Sequence, residues 1–445
     1  MALSRHGPKG GHLVDRALSV LVGPVERRIG AGKVSRLAAV ADQGANGLGN
    51  MLALALLGRA LPQADFGAVG TMIGFYYILA GFHRSAFVLI FTTTYRKGDA
   101  PLRDHRENST WWWSALIAAI ALAAILGIAA LLIEGLGAGT RLAWTAWPLN
   151  LAMIVSPPML AWEFCRRWLY KIDRADVVAL CALVYLVVQV VSAWLIARHA
   201  PGALAASLSW VAASVLASAV AMVWLSPARP SRRLAAALVK RHRSAAGWFA
   251  ATNVPYSVYS SASIVVWIGV FMNVLATAVF TAARTLINPA ISLVSAIDSI
   301  DKPHAARALA TEGPAGLLRV VRRTRRTIAL TTGLYLGVVS LFADDLTALV
   351  FAGSYDGLGT EIRILAAGFF FFGLNLPSET MMIVLRAGRT MLVTRCIAAA
   401  ITLAALAAGA AYGIRGMTLA FAVSQALVLV LFQIAERAVL RRELP

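Results

Sequence analysis

Residues 111–133, WWWSALIAAIALAAILGIAALLI, run for twenty-three positions without a charge. As an α-helix rising 1.5 Å per residue the stretch is roughly 35 Å long, enough to cross a hydrocarbon slab of about 30 Å. Stretches of the same kind recur on both sides, with almost no polar gap long enough to cover a soluble core. They fall at 36–58, 66–93, 142–163, 176–197 and 203–225, and again at 246–271, 275–299, 328–343, 362–385, 391–412 and 417–435. The composition agrees: 59% of residues are apolar and 14% charged, where soluble domains carry roughly a quarter charged. The expected fold is an all-α membrane protein of about twelve transmembrane helices.

A basic stretch, SPARPSRRLAAALVKRHRSAAGW (226–248), divides the spans six and six. The expected organisation is therefore an N-lobe over 36–225, a basic cytoplasmic linker over 226–245, a C-lobe over 246–436 and a tail over 437–445. The N-terminus is not a secretory signal, because its apolar run is broken by Gly23 and Pro24 and charges follow at once. Leu13, Ala17, Leu21 and Val14, Leu18, Val22 instead form i, i+4 stripes opposite Asp15, Arg16 and Ser19. Residues 1–35 read as a cytoplasmic segment holding a short helix on the membrane surface.

The net charge is +20, from 41 Lys and Arg against 21 Asp and Glu. With the N-terminus cytoplasmic, the basic residues sort as 7 before the first span, then 4, 4, 6, 7 and 3 in successive cytoplasmic loops and 3 at the C-terminus, 34 in all. The opposite side holds only Arg59, Arg141, Arg198 and Arg415. Such asymmetry over short loops fixes orientation. It also explains the basic excess as attraction to anionic membrane lipids, without nucleic acid. Both ends are expected in the cytoplasm. Cys165, Cys181 and Cys396 are isolated, so no disulfide framework, metal site or cofactor is expected. Trp111, Trp112 and Trp113 read as an interfacial belt.

Polar groups inside the spans are costly and face a cavity or one another. In the first span Asp42, Asn46 and Asn50 share one face at i, i+4, i+8, as a hydrogen-bonded seam or a cavity wall. Asn253, Ser257 and Ser260 or Ser261 repeat the pattern in the seventh, with Tyr256 beside them and Pro255 breaking one backbone bond. His83–Arg84 and Arg284 fall in the second span of each half. At 1.5 Å per residue they lie roughly 13 and 22 Å from the cytoplasmic ends of their spans, two rungs of a positive ladder. The arginine fork suits phosphate; the alternative is an ion pair, with Asp42 the obvious partner. Asp42 and Glu379 are the only acids placed well within spans, where either could hold a coupling proton or sodium, or simply pack. Glu379 follows Asn375 and Pro377, which suggests a distorted helix. The pairs Gly70–Gly74 and Gly333–Gly337 read as close helix contacts.

The segments LLGRALPQADFGAVG (56–70), VFTAARTLINPAISLVSAIDSIDKPHAARA (279–308) and VFAGSYDGLGTEIRILAAG (350–368) resemble the polysaccharide, O-antigen type flippases of the multidrug, oligosaccharidyl-lipid and polysaccharide exporter superfamily. The first looks like that family's R-x-L-x-x-x-x-F-G passage between its first two spans. The third carries its G-x-x-Y element one residue short, at Gly353 to Tyr355. The likeness covers roughly 36–436, mostly as span order and loop length. It implies two six-helix lobes around a central cationic cavity that opens to either side in turn, in the bacterial inner membrane. The implied substrate is an oligosaccharide joined by diphosphate to a polyprenyl lipid, moved to the outer leaflet with a coupling cation. The product would pass to polysaccharide polymerase or export machinery for O-antigen or exopolysaccharide. Arg84 and Arg284 match the family's diphosphate-binding arginines on the second and eighth spans, with His83, Asn46, Asn50, Asn253 and Tyr256 around them. The first span departs from the pattern, offering Arg36 only at its cytoplasmic mouth with Asp42 deeper.

Two other functions compete. A multidrug or peptidoglycan-precursor exporter of the same superfamily would favour an acidic cavity or two further spans. An intramembrane glycosyltransferase or ligase would need a substantial outer loop, and the longest, ADDLTALVFAGSYDGLG (343–359), is short and holds no paired carboxylates suited to catalysis.

Overall fold

A computed structural model describes residues 31–93, 101–137, 139–140 and 142–443. The stripes expected between Leu13 and Val22 lie outside the described residues. All regular elements among those residues are helices. The first half comprises α1 (Ala31–Ala60), α2 (Gln63–His83), α3 (Pro101–Leu136), α4 (Ala146–Lys171), α5 (Ala175–His199) and α6 (Ala203–Leu225). Helix α2 runs on through one wide π-helical turn, Arg84–Val88, into Leu89–Thr93. The second half comprises α7 (Arg232–Tyr259), α8 (Ile264–Phe271), α9 (Val274–Leu341), α10 (Ala343–Phe351), α11 (Gly359–Val384), α12 (Gly388–Ala410) and α13 (Gly413–Glu443).

Among the described residues eight helices are long and apolar enough to cross a membrane, and ten spans result if each of two bent pairs counts as one. The pairs are α7 with α8, bent by 55°, and the end of α9 with α10, bent by 77°. Helices α1 and α4, of 30 and 26 residues, are long enough at 1.5 Å per residue but more polar, because they carry much of the site described below. With them, twelve helical crossings correspond one to one with the expected stretches. The protein is a multi-pass membrane protein.

The differences from expectation are local. The seventh stretch is not one helix: α7 passes unbroken through Pro255 and ends at Ser260, where the backbone turns extended (φ −64°, ψ 144°). Ser260 and Ser263 then share a hydroxyl hydrogen bond of 2.7 Å. Pro377 likewise sits inside a continuous α11; neighbouring helices make such prolines tolerable in a membrane. Helix α9 runs on past its apolar part, with its one non-helical residue at Gly313 (φ 69°, ψ −165°). That positive φ strongly favours glycine. Trp111 and Trp112 are not an interfacial belt but are buried with Phe164, Cys165 and Trp168. Trp113 donates its indole N–H to the Ala228 carbonyl at 3.0 Å.

Without a hydrophobic force between helices in lipid, close packing holds the bundle together. The glycines of α2 let the two halves meet. A Cβ at Gly67 would overlap the Val274 carbonyl, one at Gly70 would overlap the Thr281 hydroxyl, and one at Gly74 would press on Val265 and Val266. Gly70 and Gly74 are thus close contacts as expected. Gly333 approaches only Phe370, and Gly337 has open space beside it, so that pair is not a tight interface. Gly70→Leu should therefore cost several kcal/mol by overpacking, read as a lower melting temperature in detergent, whereas Gly337→Leu should not.

Candidate functional site

Between the halves lies a cavity of about 520 Å³. Residues of α1, α2, α4 and α5 line it on one side, and residues of α7, α9, α11 and α12 on the other. Six basic and three acidic side chains reach it: Arg84, Arg166, Arg167, Arg284, Lys302 and Arg395 against Glu163, Asp298 and Glu379. In a low-dielectric slab such an excess makes the space attractive to anions.

Asn46, Asn50, Arg84, Tyr256, Arg284 and Glu379 line the cavity. Asp42, His83 and Asn253 are buried behind it. The His83 Nε2 lies 3.1 Å from the Ala115 carbonyl and the ring stacks on Phe87. Asn253 abuts Gly81. Asn50 accepts the Trp210 indole N–H at 3.0 Å and the Tyr185 hydroxyl at 3.4 Å. Asn46 donates to Asp42 Oδ1 at 2.9 Å and accepts from Trp162 at 3.4 Å.

Asp42 does not pair with Arg84 or Arg284. Its partner is Arg166 of α4, which donates Nε to Oδ1 at 3.0 Å and Nη2 to Oδ2 at 2.5 Å, with the Tyr170 hydroxyl at 2.8 Å. Arg84 pairs instead with Glu163, also of α4, at 3.2 Å. Glu163 is thus a further acid buried within the bundle, as are Glu361 and Glu436, and the expected end of the fourth span falls on it. Glu379 accepts from Arg395 at 2.7 Å and from the Tyr259 hydroxyl at 2.8 Å, and the Arg395 guanidinium lies 4.9 Å over the Tyr256 ring. Arg284 differs from these arginines. It is 8% exposed, its Nη1 donates to the Ala262 carbonyl at 3.4 Å, and it sits 5.8 Å from the Tyr77 ring. Its Nε is buried without a hydrogen-bond partner, and among the described residues no carboxylate pairs with it.

Beyond one end of the cavity the two halves close on each other. Phe66 of α2 packs against Phe351 and Tyr355, with ring centroids 6.3 and 5.7 Å apart. Arg59 Nε donates to the Val350 carbonyl at 2.6 Å, and its Nη2 reaches the Leu349 carbonyl. Arg59 thereby satisfies carbonyls left open at the end of α10. At the other end Arg84 and Lys302 each keep 44% of the side chain exposed.

The model of a family described as polysaccharide biosynthesis protein matches residues 56–357. The chain belongs to that family. Its fold is that of the MATE transporters. It is similar to the inward-facing conformation of a multidrug resistance MATE family transporter of the MOP superfamily (TM-score 0.65, 15% identity, 90% of this chain and 96% of that one). It is also similar to a MATE transporter of Vibrio cholerae (TM-score 0.64, 15% identity, 92% and 96%). The outward-facing conformation of a multidrug resistance MATE family transporter matches with a TM-score of 0.53, 13% identity, and 91% and 95% coverage. No curated protein matches the chain by sequence. In this member of the family, the segments around Arg59–Phe66 and Phe351–Tyr355 that carried the resemblance are the two sides of the seal.

Proposed function

We propose that this protein is a flippase, carrying a polyprenyl-diphosphate-linked oligosaccharide from the cytoplasmic to the outer leaflet of the bacterial inner membrane. The observation that carries the reading is Arg284, a buried arginine without a carboxylate partner among the described residues, facing a cavity with more basic than acidic groups. A fixed guanidinium there answers two oxygens of a phosphate group with two parallel hydrogen bonds. Family membership supports a role in polysaccharide biosynthesis, and the fold supports alternating access by two six-helix lobes, 36–225 and 246–436. The decisive assay is flipping of a fluorescent polyprenyl-diphosphate oligosaccharide in proteoliposomes, with ethidium efflux as comparison. Flipping without efflux is expected; efflux without flipping would sink the reading in favour of a drug exporter.

The distribution of Lys and Arg supports a cytoplasmic N-terminus and C-terminus. Reporter fusions after residues 230, 320 and 440 should be cytoplasmic and one after 350 external; an external signal at 230 would remove the lobe division. The sealed end then faces outward. Arg59→Ala should weaken that seal. In a Cys396→Ser background, a cysteine replacing cavity residue Asn288 should be labelled several-fold faster from outside by an impermeant thiol reagent. Equal rates would show that Arg59 does not hold the seal.

Coupling to a proton or sodium enters this reading through Glu379, which would exchange Arg395 for the ion. Glu379→Gln should then abolish ion-driven flipping in protein that still folds, and unchanged ion dependence would reduce Glu379 to a holder of Arg395.

A further inference from the structure

Glu163 is 6% exposed and lies at the cavity wall between three guanidiniums. Arg84 meets it in a fork, with Nε–Oε1 at 3.2 Å and Nη2–Oε2 at 3.3 Å. Arg167 meets Oε1 with Nη2 at 3.2 Å and Nε at 3.4 Å. Arg166 stands further off at 3.9 Å and is committed to Asp42 through both of its forked donors. One carboxylate therefore serves Arg84 and Arg167 together, and the pair retains an excess positive charge.

Both arginines remain reachable from the cavity, with 44% and 33% of their side chains exposed. Arg84 also opens the π-helical turn of α2, a backbone feature frequent at functional sites. A guanidinium has five donors, and Glu163 takes two from Arg84. A carboxylate and a phosphoryl group present similar forks of acceptor oxygens, so each can take the place of the other on an arginine.

A carrier must cross the membrane empty as well as loaded. Two unpaired guanidiniums in the wall of a cavity set within a low-dielectric slab would be costly, while arginines permanently locked to an acid would be useless to a substrate. We propose that Glu163 is an internal counter-anion: it occupies Arg84 and Arg167 while the cavity is empty and yields them to the incoming diphosphate. This rests on the diphosphate-lipid reading above. It divides the arginines into two kinds. Arg84 and Arg167 form a site near the open end where a resident anion competes and binding is weak. Arg284 lies deeper without a competitor, so the diphosphate gains affinity as it moves inward.

The consequence runs against ordinary intuition for a buried acid. Glu163→Gln removes the competitor, so anion binding should tighten while transport slows, because the bound anion is no longer displaced. A carboxylate that merely positions the arginines predicts looser binding. The test uses the purified full-length protein in detergent, titrated with farnesyl diphosphate and with farnesol as the uncharged control. E163Q is expected to bind the diphosphate about tenfold tighter than the wild type and to flip lipid-linked sugar several-fold more slowly. Equal or weaker binding by E163Q with an unchanged melting temperature overturns the counter-anion. Should E163Q melt too low for titration, Glu163→Asp keeps the charge but shortens its reach, and a few-fold tightening is expected; no tightening there also overturns it. A wild type that binds farnesyl diphosphate no better than farnesol removes the substrate reading, and the counter-anion with it. The two failures are thus separate.

Discussion

Arg284→Ala is expected to lower flipping by roughly a hundredfold while leaving the melting temperature unchanged or slightly raised. The direction of the stability change is the informative part. Removing one member of a buried ion pair strands its partner and is strongly destabilising. Arg284 has no carboxylate partner among the described residues, only the Ala262 carbonyl and the Tyr77 ring. Its truncation therefore relieves a desolvated charge rather than creating one. The loss in flipping follows from two charge-assisted hydrogen bonds to a phosphoryl group, together about 3 kcal/mol, which is roughly a hundredfold. Arg284→Lys keeps the charge and loses the fork, so an intermediate loss of about tenfold is expected. Transport must be expressed per folded molecule. Normal flipping by a well-folded alanine variant would remove Arg284 from the substrate path.

Arg84 should behave differently, although the sequence placed it on the same ladder. Arg84→Ala leaves Glu163 with Arg167 and a distant Arg166, so it should lower both flipping and stability. The resemblance between the two positions is one of location; their electrostatic surroundings are distinct.

That distinction marks the limit of the sequence. Span number and order were legible because length and hydropathy are one-dimensional properties. The polar face of Asp42, Asn46 and Asn50 was legible because helical spacing fixes which residues share a side. Pairing across helices was not, because a sequence gives depth along a span but not the direction in which a neighbour faces. Asp42 is therefore the obvious alternative partner for Arg84 or Arg284 in the sequence, whereas its partner in the structure, Arg166, stands on α4. Arg166, Arg167 and Arg395 were hidden for a related reason. Arg166 and Arg167 lie just beyond an apolar stretch and Arg395 within the first turns of another, and all three count as cytoplasmic charge when basic residues are sorted by side. Helix α4 continues to Lys171, two turns past the expected boundary, and carries the apparent loop arginines back into the bundle. One signal could have revealed it: Trp162, Arg166 and Tyr170 fall at i, i+4, i+8 in WEFCRRWLY, the same spacing as the polar face of α1 that they meet.

The break between α7 and α8 is not legible within the stretch 246–271. Pro255 removes one backbone bond, yet its missing N–H is tolerated within the helix, while the chain turns at a serine cluster. The turn brings Ala262 to Arg284, so the least legible part of the backbone holds the most legible site residue.

The largest expected stability effect belongs to Asp42 and Arg166. Asp42 has no exposed surface, and Arg166 supplies two of its hydrogen bonds. Arg166→Ala would leave the carboxylate with Tyr170 and Asn46 alone, at a cost of about 3–5 kcal/mol. Asp42→Asn should cost a comparable amount by stranding the guanidinium. The double variant Asp42→Asn/Arg166→Gln removes both charges and keeps polar groups able to bond each other, so most of the stability should return. The coupling is then measured by the double-mutant cycle. If the two single losses simply add, the pair does not hold α1 against α4. The same protein answers a further question. If Asp42 serves only to pack, the restored double variant should flip with its ion dependence intact. If Asp42 also takes the coupling cation by exchanging Arg166 for it, the double variant should be stable yet indifferent to the ion gradient. Stability and ion dependence therefore separate in one molecule, which neither single substitution could achieve.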